Sequence, residues 1–375
     1  MRFNYFIIII AFSLASCKKY EGCTDPAALN YDAAANRDDG SCKYVGVNYP
    51  YELDIPSQFE QLLPAPSIPA NNPLTEAGVL LGRKLFYDPI LSGNNTQSCA
   101  GCHKQSNGFT DNGNQFSTGI DLLEGDRNAM PLFNMAWNYD DTYFWDGKAS
   151  GVENQVYEPV ANPIEMHETW PNAVAKLQAD DEYPSMFNTA FGTETIDSSL
   201  VAMAIAQFER TLISGDSRFD QYIRGEISLT PSEFAGYNVF MDEAGGDCFH
   251  CHGDINNPLW TDNLYHNNAL DATFSDLGRG AVTGNPADNG KFKTPSLRNL
   301  SYTAPYMHDG RFATLDEVIN HYAVGLQNSA TVDPLMKNVL SGGNQLNPQD
   351  RIDLKAFLLS LNDPNFITNP DYQAP

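Results

Sequence analysis

The chain has 375 residues, 42% of them hydrophobic, with 47 acidic against 22 basic side chains and a formal charge of −25. That length suits two domains of ordinary size, each with a buried core. The acidic balance argues against nucleic acid as a partner and favours basic ones, and no apolar run beyond the N-terminus is long enough to cross a membrane.

Met1-Arg2 and the apolar run from Tyr5 to Leu14, with Ile7-Ile8-Ile9-Ile10 inside it, read as an export signal, too short for a spanning helix. Leu14-Ala15-Ser16-Cys17 resembles the bacterial lipobox. That resemblance implies removal of residues 1–16, acylation of Cys17 and a lipoprotein anchored to a membrane and facing the periplasm. Residues 17–55 form a small acidic module and linker, running from Glu21-Gly22-Cys23-Thr24-Asp25 through Asp38-Asp39-Gly40-Ser41-Cys42. Asp25, Asp32, Asp38 and Asp39 are oxygen donors of the kind calcium takes, but their spacing is not that of an EF-hand. A clipped spacer is the reading preferred for this stretch.

A Pro-rich linker from Pro56 to Pro73 precedes the main body. Ala77 to Tyr87 reads as a helix that stops before Pro89, and a Gly/Asn-rich loop covers Ser106 to Asn114. Asp197 to Ile213 is the clearest amphipathic helix, with Leu200, Ala204, Phe208 and Leu212 on one face. Thr230-Pro231-Ser232-Glu233 and Thr314-Leu315-Asp316-Glu317 are capping boxes that open two further helices. A last helix starts at Asn347-Pro348 and runs to Leu361, and strand signals are weak throughout. The expected fold is mainly α.

Two runs carry the chemistry: Cys99-Ala100-Gly101-Cys102-His103 and Cys248-Phe249-His250-Cys251-His252. Cys-x-x-Cys-His is what covalent haem c attachment needs, two thiols adding to the haem vinyl groups and the adjacent His lying under the iron. A zinc site would need four ligands at a known spacing, and a dithiol redox pair does not need the His. His103 and His252 are therefore read as the proximal ligands of two covalent haems. Of the seven cysteines, lipid takes Cys17 and haem takes four, which leaves Cys23 and Cys42. In an exported protein two leftover thiols most simply form a disulfide.

The ordered set Cys99–His103, Arg127-Asn128, Phe144-Trp145-Asp146-Gly147, Cys248–His252, Thr294-Pro295-Ser296-Leu297-Arg298-Asn299 and Ala304-Pro305-Tyr306-Met307-His308-Asp309-Gly310 resembles the bacterial di-haem cytochrome c peroxidases and their relative MauG over about residues 56–362. The resemblance implies two cytochrome c-like domains, set here at 56–220 and 221–375. It implies a peroxide-binding N-terminal haem and a C-terminal haem that relays electrons from a small donor protein, a c-type cytochrome or cupredoxin. It further implies a calcium ion between the domains, held by the Asn128 side chain and the carbonyls of Thr303 and Pro305, and often a homodimer. By the same resemblance Glu165 is the acid–base group for peroxide, Gln155 orients it, and Trp145 lies between the haems to conduct electrons.

Two positions depart from other members. Ile120, in Ser117-Thr118-Gly119-Ile120-Asp121, stands where those members place a second His above the N-terminal haem, which implies an open, five-coordinate iron; His167 is the one displaced ligand to weigh. Tyr322 stands where those members ligate the C-terminal haem with Met, and MauG also has Tyr there. Leu315, Val318, Ile319 and Tyr322 share one helix face, with His321 rotated about 100° away; Met336 and Met307 are the competing ligands. An anionic oxygen ligand favours ferric iron and lowers the potential relative to Met. His266, His308 and Arg298 are read as groups that bind propionates or water, or as structural hydrogen bonders. The expected activity is reduction of hydrogen peroxide with electrons from the donor protein. The alternatives are a MauG-like peroxide-dependent oxidase of a protein or small molecule, and a non-catalytic electron-transfer cytochrome.

Overall fold

The computed structural model describes residues 18–44, 46–111 and 113–375. The apolar run read as an export signal, and Cys17, lie outside the described residues. Among the described residues no helix is long and apolar enough to cross a membrane. The chain divides into two compact units, one ending at Asn48 and one covering Tyr49–Pro375.

The first unit is built from turns. Its strands β1 (Glu21–Gly22) and β2 (Arg37–Asp38) pair in parallel, with Glu21 opposite Arg37 and ion-paired to it at 2.7 Å. Cys23 and Cys42 form a disulfide. The four aspartates act on the backbone: Asp25, Asp32, Asp38 and Asp39 each accept, through Oδ1, the amide of the residue two further on, at 2.8 to 3.0 Å. These are Asx turns, in which a short carboxylate imitates a backbone turn. Among the described residues no group of three or more His, Cys, Asp or Glu is placed to hold a metal.

The second unit is mainly helical. In chain order its helices are α1 (Ser57–Leu62), α2 (Glu76–Tyr87), α3 (Cys99–Cys102), α4 (Val152–Ala161), α5 (Trp170–Ala179), α6 (Tyr183–Phe191) and α7 (Ser198–Thr211). There follow α8 (Arg218–Ile223), α9 (Pro231–Met241), α10 (Phe249–His252), α11 (Arg279–Thr283), α12 (Leu315–Val324) and α13 (Pro348–Ser360). Strands are two-residue pairs: β3 (Thr142–Tyr143) with β4 (Ala149–Ser150), and β5 (Tyr265–His266) with β6 (Phe292–Lys293), both antiparallel. The capping boxes at Thr230 and Thr314 are both formed, as is one at Asn347.

One packing device appears twice. Helix α2 leads towards Cys99 and packs on α7, and α9 leads towards Cys248 and packs on α13. Each crossing is made on a glycine. A Cβ on Gly82 would lie 1.9 Å from the Ala204 carbonyl oxygen, and one on Gly236 would lie 1.8 Å from that of Asp353. Only a residue without a side chain lets the backbones approach so closely.

Helix α7 departs from the amphipathic expectation. From Val201 to Leu212 it is buried almost all round, because it packs on both α2 and α4. Two of its polar residues find protein partners instead of water: Gln207 Nε2 donates to Asn72 Oδ1 at 2.8 Å, and Arg210 binds Glu153 through two bonds of 2.6 and 2.9 Å. One hydrophobic core gathers residues 79–212 together with Phe366 and Tyr372 of the C-terminal tail; a second gathers residues 219–361.

Candidate active site

Two cavities, of ≈ 300 and ≈ 210 Å³, open inside the second unit. Cys102 and His103 line the first; Cys248, Cys251 and His252 line the second. Each motif forms a single helical turn, α3 or α10, which brings its two cysteines to one side with the His just beyond or at its end. Cys99, Cys102, Cys248 and Cys251 are all free thiols. The His103 ring donates from Nδ1 to the Phe109 carbonyl at 2.8 Å, and the His252 ring faces the Trp260 carbonyl at 3.4 Å. Such a bond fixes the tautomer and leaves Nε2 as the ligating atom. Burial lowers both imidazoles, His252 to about 4, so both are neutral, as a metal ligand must be. Free thiol pairs, neutral rings and a cavity at each motif fit a covalent haem at each.

The wall between the cavities is shared. Asn128, Ala129, Pro131, Trp145 and Lys293 line both. Trp145 is 8% exposed and its indole N–H donates to the Asn128 carbonyl at 2.8 Å. The turn after Trp145 is pinned from outside: Arg127 pairs with Asp146 at 2.6 Å and Asp276 at 2.7 Å, while Arg279 donates to the carbonyls of Asp146 and Gly147. Lys293 is 5% exposed, donates to the Asn263 carbonyl at 2.6 Å, and burial lowers its ammonium to about 8. Sequence reasoning missed this cation between the cavities, because a lone Lys carries no motif.

The first cavity gathers Gln155 and Glu165 beside His103. Helix α4 supplies Gln155, and the turn that follows supplies Glu165. Asn162 Nδ2 donates to Glu165 Oε1 at 2.6 Å. Burial pushes the Glu165 carboxyl above its ordinary range, while Asn162 and Lys148 pull it back. Of the seven histidines, only His103 lines this cavity. His167 is exposed and pairs with Asp121 at 2.5 Å, and the Ile120 amide donates to the Glu165 carbonyl at 2.9 Å. Two methionines are among the lining residues: the Met130 main chain meets the His103 ring, and Met135 packs into the first core.

Tyr322 on α12 lines the second cavity with Met307 and Met336. Burial pushes its hydroxyl up to about 12, against the pull of a bond from Asn268. His321, on the neighbouring face, is buried, and its Nε2 has no partner among the described residues. His266 is clasped by Asp262 at 2.8 Å and Asp333 at 2.6 Å, and His308 stacks on Phe292 with centroids 3.6 Å apart. Arg298 is fully buried, with its donors committed to both oxygens of Asp220, at 2.7 Å each, and to the Pro258 carbonyl. Asn128 donates through Nδ2 to the Asn114 and Gln115 carbonyls at 3.1 Å each, leaving Oδ1 as its oxygen for a cation. Thr303 and Pro305 line the second cavity.

The sequence profile of the di-haem cytochrome c peroxidases matches residues 76–228. The chain is 37% identical over 307 residues to the methylamine utilization protein MauG of Methylorubrum extorquens, covering 80% of this chain and 83% of that protein. It is 37% identical over 244 residues to the cytochrome c551 peroxidase of Nitrosomonas europaea, covering 64% and 70%. Its fold matches the crystal structure of a MauG-like protein associated with microbial copper homeostasis, with a TM-score of 0.78, 35% identity, and coverage of 87% of this chain and 99% of that one. The chain belongs to the di-haem cytochrome c peroxidase and MauG family, oxidoreductases that act on peroxide and carry two haem c groups.

Proposed function

We propose that this protein reduces hydrogen peroxide to water at the His103 side, with electrons that a small redox protein delivers at the His252 side. The observation that carries this reading is the first cavity, which holds a half-buried carboxyl, Glu165, and an amide, Gln155, next to the ring of His103. Haem, attached through Cys99 and Cys102 on one side and Cys248 and Cys251 on the other, supplies the redox chemistry. The residues supply the proton path. With Oε1 held by Asn162, Glu165 uses Oε2 to take a proton from one peroxide oxygen and return it to the other, which departs as water. Gln155 orients the peroxide from α4. Two electrons and two protons convert one peroxide into two waters. Trp145, walling both cavities, lies on the electron path between the two sites.

In the same reading the N-terminal site is open above His103 and the C-terminal site is closed by Tyr322. Calcium sits at Asn128 Oδ1 and the carbonyls of Thr303 and Pro305, whose oxygens are of the type it takes. The domains divide as 56–220 and 221–375, the protein is a periplasmic lipoprotein held by Cys17, and it pairs as a homodimer. Peroxide-dependent oxidation of a reduced c-type cytochrome tests the activity: rapid turnover that Glu165→Gln abolishes supports it, and no reaction with peroxide refutes it.

A second reading follows from Tyr322 and from the likeness to MauG. An oxygen ligand favours the oxidised state, so the pair of sites would hold oxidising equivalents for a protein or small-molecule substrate. Slow cytochrome turnover, with an absorption change that outlasts the peroxide, distinguishes this reading from the first.

A further inference from the structure

Asn268 occupies a position that no motif announces. Its Nδ2 donates to the Tyr322 hydroxyl oxygen at 3.1 Å and also lies 3.4 Å from the Met307 sulfur. Tyr322 and Met307 are two of the side chains able to ligate iron opposite His252, and all four residues line the second cavity. The segment carrying Asn268 is rigidly held. Asn267 is 1% exposed and donates to Ser329 Oγ and Thr331 Oγ1 at 3.0 Å each, and its own Oδ1 accepts the Ala269 amide at 3.0 Å. His266, on the other side, is fixed between two carboxylates. The amide is therefore pre-placed, with one N–H for an oxygen and one for a sulfur.

We propose that Asn268 is a positioning residue for the C-terminal haem, tuning Tyr322 as the ligand opposite His252 and holding Met307 away from the iron. This rests on the reading of Tyr322 as that ligand. A phenolate is a strong anionic donor to ferric iron. A hydrogen bond to the same oxygen withdraws charge from it, weakens the donation and keeps the iron's potential above that of an unassisted His/Tyr pair. The second N–H occupies the Met307 sulfur, a softer ligand that would raise the potential further if it bound.

The test uses the full haem-loaded protein at equilibrium, without peroxide. Asn268→Leu keeps the volume and removes both donors; it is made in a Met307→Leu background, so that a freed sulfur cannot bind the iron and offset the change. It is expected to lower the midpoint potential of the C-terminal haem, leave that of the N-terminal haem unchanged, and move the phenolate-to-ferric charge-transfer band to lower energy. A second measurement needs no variant: the tyrosinate modes seen by resonance Raman in wild type should shift on exchange into deuterium oxide. An unchanged potential when Asn268→Leu is added to Met307→Leu, or no deuterium shift in wild type, would overturn the tuning role. Tyr322→Phe, in which Asn268 still holds Met307, should show no sulfur-to-iron band; its appearance there would overturn the holding role. If Tyr322→Phe leaves the C-terminal haem's spectrum and potential as in wild type, it is the ligand reading itself that fails.

Discussion

The Trp145 indole N–H donates to the Asn128 carbonyl at 2.8 Å, and both residues wall both cavities. The bond fixes the ring across the shared wall, where an unpaired buried N–H would be costly. Trp145→Phe keeps an aromatic side chain but loses the bond and part of the ring. Electron delivery from the C-terminal to the N-terminal site should slow by about tenfold or more, equivalent to about 1.4 kcal/mol on the barrier. Stopped-flow mixing of the pre-reduced protein with peroxide measures it; an unchanged rate would remove Trp145 from the path.

Glu165 is asked to move a proton, a role worth about 10²–10⁴-fold in rate. Glu165→Gln should lose activity within that range while leaving KM for the electron donor unaltered. A loss confined to KM would place Glu165 in binding instead.

The pH profile gives a separate check. Glu165 must be ionised to accept a proton, so activity falls as pH drops through its pKa. Burial raises that pKa above the ordinary carboxyl value of 4.5, and the Asn162 bond lowers it. Asn162→Ala removes the lowering influence, so the acid limb should move to higher pH. A limb that stays in place would mean another group controls it.

Glu209 on α7 is 3% exposed, its Oε2 has no partner among the described residues, and burial pushes its carboxyl up to about 8. A folded pKa above the unfolded one means the stabilisation is complete below about 4.5 and is lost as pH rises through about 8. Glu209→Gln keeps the shape without the charge, and should flatten the decline in Tm between those limits and raise Tm at the alkaline end. Parallel wild-type and variant melting curves across that pH range would contradict the assignment.

Gly82→Ala forces a methyl against the Ala204 carbonyl and should destabilise by at least the ~1–3 kcal/mol typical of overpacking. Gly236→Ala should do the same at the α9–α13 crossing. Urea unfolding of the haem-loaded protein measures both, and a cost below about 0.5 kcal/mol would show that the helices move apart freely.

What the sequence disclosed was local or ordered along the chain. The capping boxes at Thr230 and Thr314 depend on residues three apart and form as read. The four aspartates of the N-terminal unit looked like oxygen donors for a cation, yet each is occupied with an amide two residues away. Features that depend on distant partners stayed hidden. The amphipathic reading of α7 implies a solvated polar face, but Asn72 and Glu153 bind its Gln207 and Arg210 instead. Phe366 and Tyr372 return to the first core from the end of the chain. Asn268 follows a residue of no special type, and only folding sets it against Tyr322, 54 positions further on.

The central claim is that the two sites are unlike: open above His103, closed by Tyr322 over His252. Electron paramagnetic resonance of the oxidised, haem-loaded protein tests it most directly. One high-spin and one low-spin ferric signal, with the low-spin signal altered in Tyr322→Phe, is the predicted result. Two low-spin signals and no high-spin signal would contradict it.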